Sequence, residues 1–253
     1  MQSIFFIEGI EQFKGGIFMP YRYGYYFDPT YILVLIGAVI SLIASARVKT
    51  TFNKYSKVRS RTNMTGAQAA QRVLNSAGIY DVRIQHVAGS LTDHYNPKDK
   101  TLNLSDSVYG STSVAAIGVA AHECGHAIQH QQGYSPLNIR SALVPVANFG
   151  SAAAWPLIIL GIILGGAGNI FCQIGIVVFS AAVLFQLVTL PVEFNASSRA
   201  VHILGNIGIL SEQELPYTKK VLKAAALTYV AGAAAAILQL LRLVLLVGGR
   251  SRD

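Results

Sequence analysis

From Ser141 to Val192 the chain carries no charged residue, and this stretch constrains its fold more than any other feature. A helix needs about 20 apolar residues to cross a bilayer core. The run is therefore long enough for two crossings, and the turn-prone GGAGN at 165–169 divides it into a hairpin. PTYILVLIGAVISLIASA, between Asp28 and Arg47, supplies an earlier span. LTYVAGAAAAILQLLRLVLLVG supplies a last one, with Arg242 placed to snorkel toward the interface. At 52% hydrophobic and 13% charged residues, the chain is too apolar for an ordinary soluble domain. The expectation is a mainly α, four-span helical membrane protein. Its divisions are an extracytoplasmic or interfacial segment at 1–28, a span at 29–46, a larger region at 47–140, the hairpin at 141–192, a second polar segment at 193–223, a span at 224–248 and a tail at 249–253.

The net charge of +8 is resolved by where the cations fall. Fifteen of the twenty lysines and arginines lie in 47–140 and 192–223, and the densest cluster, RVKTTFNKYSKVRSR, directly follows the first span. Positive charge is retained on the cytoplasmic side of spans, which puts both larger segments in the cytoplasm and both termini outside. The tyrosine-rich YRYGYYFDPTY then forms an outer interfacial belt. The cluster carries no nucleic-acid-binding motif, so a lipid bilayer is the expected partner and nucleic acid is not. Cys124 and Cys172 are too few and too scattered for a disulfide framework. The acids Glu8 and Glu11 stand where a signal peptide would be basic, so the N-terminus is expected to be retained.

Within 47–140, Thr65 and Gln68 form a capping-box pattern before a helix with apolar Ala67, Ala70, Val73, Leu74 and Ala77, and Gly78 stops it. Val82 with Ile84, Leu91–Tyr95 and Thr101–Leu104 predict two or three strands, the last two flanking the turn NPKDK. From about Ser113, VAAIGVAAHECGHAIQHQ reads as a buried helix ending before Gly133.

That helix contains His122, Glu123 and His126, an HExxH pattern. Residues four apart share a helix face, so the two imidazoles can bind one Zn2+ while Glu123 reaches a water and serves as catalytic base. The product of that chemistry is hydrolysis of a peptide bond. The motif alone occurs by chance, so a third ligand matters. His130 lies about 12 Å along the helix from His122, too far to share the ion. The elongated pattern HExxHxxGxxH also fails, because Gln129 and Gln132 occupy its Gly and His positions. Glu193 is the better candidate: it is the one acid between Glu123 and Glu212, at the end of the third span, and the competing role for it is as a partner for Arg199 or for helix-end backbone. Cys124 points to another helix face and is expected as a packed thiol.

LTDHYNP, SVAAIGVAAHECGHAIQH, GYSPLNIRSALVPVAN, FQLVTLPVEFNASSRA and AAALTYVA, in this order, resemble the YugP-type neutral zinc metallopeptidases, a family of bacterial membrane proteins. The likeness extends from about FDPTYIL to the last span. It implies a gluzincin-like site with His122, His126 and Glu193 on zinc and Glu123 as base, in a small α+β zincin-like cytoplasmic portion. Cys124, Ser198 and His202 depart from the pattern without removing a ligand. Asn195, His202, Tyr229 and His94 are further candidates for supporting positions or for the cleft, with a structural role favoured for His202. The expected function is a multi-pass bacterial membrane zinc endopeptidase acting on peptides or membrane-associated polypeptides. The alternative is a catalytically silent scaffold or chaperone-like protein on the same fold.

Overall fold

The computed structural model describes residues 28–165 and 169–250. The expected N-terminal segment, most of the tyrosine belt, the centre of the GGAGN turn and the end of the tail lie outside the described residues. Among the described residues, four helices are long and apolar enough to cross a membrane: α1 (Tyr31–Tyr55), α4 (Ser135–Leu164), α5 (Asn169–Asn206) and α6 (Leu215–Arg250). They leave large side chains such as Leu35, Ile43, Phe149, Ile163 and Val177 exposed, as helices facing lipid do. Between α1 and α4 come helix α2 (Gly66–Ser76), strands β1 (Arg83–Val87), β2 (His94–Asn96) and β3 (Thr101–Ser105), and helix α3 (Val114–Gln131).

Local chemistry sets these boundaries as the sequence suggests. Thr65 accepts from the Gln68 N–H, and the Gln68 side chain accepts from the Thr65 N–H, so both halves of the capping box are made. Gly78, at φ 72°, turns the chain out of α2 in a conformation that a Cβ would disfavour. Ser113 caps α3 by accepting from the Ala116 N–H. The sheet order is β1–β3–β2, with β1 parallel and β2 antiparallel to the central, fully buried β3. Strand alternation predicts the strands but not this mixed order, which depends on long-range pairing.

The apolar spans do not end where the helices end. α5 runs on past Val192 to Asn206, and its Ala200 and Leu204 join Leu74, Leu102, Leu104, Ile117, Cys124 and Leu210 in one core. Val221 and Leu222 of α6 enter the same core. The two polar segments expected at 47–140 and 193–223 therefore fold together, and 193–206 is the membrane helix continued. Arg242 is not left snorkelling: it is buried, 3.3 Å from Asp28 at the start of α1, with its guanidinium over the Tyr31 ring. A buried cation is costly without such a partner.

α3 lies at the centre of this assembly and is buried along nearly its whole length. Its small residues let neighbours close in. An added Cβ on Gly118 would meet Thr218 of α6 at 2.5 Å, and one on Gly125 would meet the Ala196 carbonyl of α5 at 2.7 Å. The first obstacle is a side chain, whereas the second is backbone and cannot rotate away. Gly125→Ala should therefore force α3 and α5 apart and destabilise the protein by about 1–3 kcal/mol. Thermal unfolding of the detergent-purified protein checks this, and an unchanged midpoint would contradict the close approach.

Candidate metal centre

The contact between α3 and α5 carries three side chains to one point. His122 and His126 project from one face of α3, their rings 4.8 Å apart, and Glu193 comes from α5. The Nε2 atoms of His122 and His126 stand 3.3 and 3.6 Å from Glu193 Oε2, and one donor atom from each residue falls within 4.8 Å of the others. Two ligands about 2 Å from a tetrahedral zinc lie about 3.3 Å from one another, so the spacing suits that ion. Among the described residues, His126 Nε2 and both Glu193 oxygens are buried with no hydrogen-bond partner. A carboxylate only 1% exposed costs several kcal/mol unless a positive charge offsets it, and a dication here would supply that charge and partner the orphaned atoms. The residues present fit a zinc ion.

Hydrogen bonds behind the imidazoles favour the required tautomer. Gln129, fully buried, donates through Nε2 to the Val192 carbonyl and to Asn195 Oδ1, each at 2.9 Å. Its Oε1 is thereby left to accept from His126 Nδ1–H at 3.0 Å, so His126 Nε2 offers its lone pair to the centre. Asn195 is held in turn by Arg199, whose Nε donates at 2.6 Å, and Arg199 also donates to Gln132. Behind His122, the Nδ1 atom lies 3.1 Å from Ser197 Oγ.

Glu123 is buried beside the cluster, and Tyr95 N–H on β2 donates to its Oε2 at 3.0 Å. Burial pushes the Glu123 carboxyl up to about 7. The His122 side chain opposes this rise, while the carboxylates of Asp93 and Glu193 add to it. A dication at the three donors would act in the lowering direction.

The remaining candidates separate clearly. Asn195 supports His126 through Gln129, and partly buried Tyr229 of α6 lies within electrostatic reach of Glu193 and Glu123. His94 is engaged elsewhere, with Nδ1 on the Thr92 carbonyl and Nε2 accepting from Asn103, so β2 meets the site through the next residue's amide. His202 is exposed, nine residues beyond Glu193 and about 13 Å along α5, and its Nδ1 lies against Asn206 Nδ2; it does not reach the cluster. His130 pairs with the Tyr95 hydroxyl. Cys124 packs on the opposite face against the Ala70 carbonyl, and burial holds its thiol well above the ordinary range. Arg199 serves Asn195 rather than Glu193. Sequence reading passed over Gln129 and Ser197, although each carries a positional signal: they stand three and four residues after the ligand candidates His126 and Glu193.

Residues 30–248 match the family described as "Putative neutral zinc metallopeptidase". The chain belongs to this family. It is 48% identical over 225 residues to "Putative membrane protease YugP" of Bacillus subtilis (strain 168), across 88% of this chain and 99% of that relative. No solved structure matches the chain. The family expected from the five sequence blocks is thus the family found, and the four apolar helices agree with a multi-pass membrane protein.

Because Gln129 links His126 to both α5 acceptors, Gln129→Leu should weaken zinc binding by about 10–100-fold without loss of the fold. Competition with a chromophoric chelator measures this. Unchanged affinity in a folded variant would remove Gln129 from the support of His126.

Proposed function

We propose that this chain is a membrane-embedded zinc endopeptidase cleaving peptides or membrane-associated polypeptides, with His122, His126 and Glu193 as zinc ligands and Glu123 as general base. The observation that carries this reading is the convergence of two imidazoles and a buried carboxylate beside the tethered Glu123. Three protein ligands leave a fourth position open, as in catalytic rather than structural zinc sites. The family and the named membrane protease among its relatives support the same assignment.

Zinc, when bound, supplies a Lewis acid that polarises a carbonyl and acidifies water. The protein's own part is positional and protonic. Tyr95 N–H fixes the Oε2 oxygen of Glu123. Glu123 accepts a proton from the attacking water at its carboxylate and gives it to the departing amine. Gln129 and Ser197 hold the imidazoles in orientation. β2 is an edge strand, and an extended substrate laid along it by strand addition passes the carboxylate that the same strand holds. This is a zincin-like, gluzincin-type arrangement, with one ligand from a separate helix.

The clustering of lysines and arginines in 47–140 and 192–223 supports a centre at the cytoplasmic face of a bacterial membrane, with the termini outside. Reporter fusions within 47–140 should therefore report cytoplasm, and an external signal would reverse the orientation.

Glu123→Gln should keep its zinc and lose about 10²–10⁴-fold in peptide cleavage, read as metal content and as turnover of a quenched peptide. Glu193→Ala should lose the zinc itself. Equal cleavage by wild type and Glu123→Gln, without chelator sensitivity, would leave the silent scaffold as the better account.

A further inference from the structure

We propose that a basic cavity between α1 and α6 seats the phosphate headgroup of an anionic phospholipid. The cavity has a volume of about 420 Å³ and draws Arg47, Thr50, Thr51 and Lys54 from α1 and Lys220 and Lys223 from α6. It is separate from the metal centre and shares no residue with it.

Its level in the fold identifies the ligand. The apolar run of α1 ends at Ala46, and Arg47 begins its charged end; on α6, Lys223 is the last charge before the apolar run beginning at Ala224. The cavity thus sits where both helices leave the hydrocarbon core, the depth of lipid phosphates. Ala224 and Leu227 line its membrane-side wall, giving an acyl chain an apolar exit. Tyr55, stacked on Tyr217 with ring centroids 5.3 Å apart, anchors its polar end.

Charge balance supplies the second argument. At the opposite end of the same helix pair, Arg242 of α6 is matched by Asp28 at 3.3 Å. At the cavity end, neither α1 nor α6 contains an acid, and none of the four cations has an ion pair among the described residues. Lys54 lies over the Tyr55 ring at 5.6 Å, a contact that leaves its charge uncompensated. The four cations are solvent-exposed, and brought together from two remote segments they give the cavity a positive potential that attracts an anion. A general attraction of basic loops to the membrane needs no cavity, whereas this one is concave and shared by two helices.

The test titrates purified full-length protein in detergent with dioctanoyl-phosphatidylglycerol, dioctanoyl-phosphatidylcholine and inorganic phosphate, by calorimetry. Phosphatidylglycerol should bind saturably and at least roughly tenfold more tightly than either other probe. The variant Lys54→Gln/Lys220→Gln/Lys223→Gln should lose at least roughly tenfold in that affinity. The charge-matched control Lys49→Gln/Lys57→Gln/Arg59→Gln, which changes residues that do not line the cavity, should stay within about twofold. If the first triple variant does not fold, Lys54→Gln and Lys220→Gln singly, one from each helix, should each show about a fivefold loss. Equal binding of the two lipids, or equal losses in both triple variants, would overturn the seat. Phosphate binding as tight as phosphatidylglycerol would show a site for a free anion instead.

Discussion

Everything at the candidate metal centre depends on two helices approaching at a glycine. α3 offers two imidazoles and α5 one carboxylate, and the three meet because Gly125 lets the backbones of the two helices close. A larger residue there would leave a buried glutamate facing nothing. The cost of keeping Glu193 out of water is therefore tied to the packing of α3 against α5, and the electrostatics of the site cannot be separated from its sterics. The same contact admits Gln129 to the Val192 carbonyl, so a packing detail also orients a candidate ligand.

Much of this was legible in the sequence because it rests on local pattern. The charge-free run predicts the hairpin, the Thr65–Gln68 pair predicts the start of α2, and the spacing of His122, Glu123 and His126 predicts their common face. Glu193 stood out for a different reason: an isolated acid at the end of an apolar run is expensive unless it has a use. What sequence pattern could not supply is long-range. The parallel pairing of β1 with β3, the shared core of α5 and α6 ends with α2 and α3, and the Asp28–Arg242 pair all join separate segments of the chain. Gln129 was hidden by its setting, since an amide on a buried helix face signals an unmet need for partners but does not name them. Tyr95 contributes through its backbone, which no side-chain pattern reveals.

The site's surroundings also divide by solvent. The core that holds α3 lies beyond the apolar spans, with the sheet on one side and the continued ends of α5 and α6 on the other. Water has access to the edge strand, while Glu193 and His126 remain buried. A charged centre in such a place gains from low polarity behind it without having to be carried into hydrocarbon.

The unbroken course of α5 from the hairpin turn to Asn206 has a consequence for biosynthesis. A ribosome releases His122 and His126 before either helix of the hairpin has been made, and Glu193 arrives only at the far end of the second. Under the proposed assignment, a nascent or mistargeted chain whose hairpin has not inserted holds two ligands of three. Under that assignment, the order of the chain ties completion of the three-ligand set to insertion of the hairpin in the bilayer.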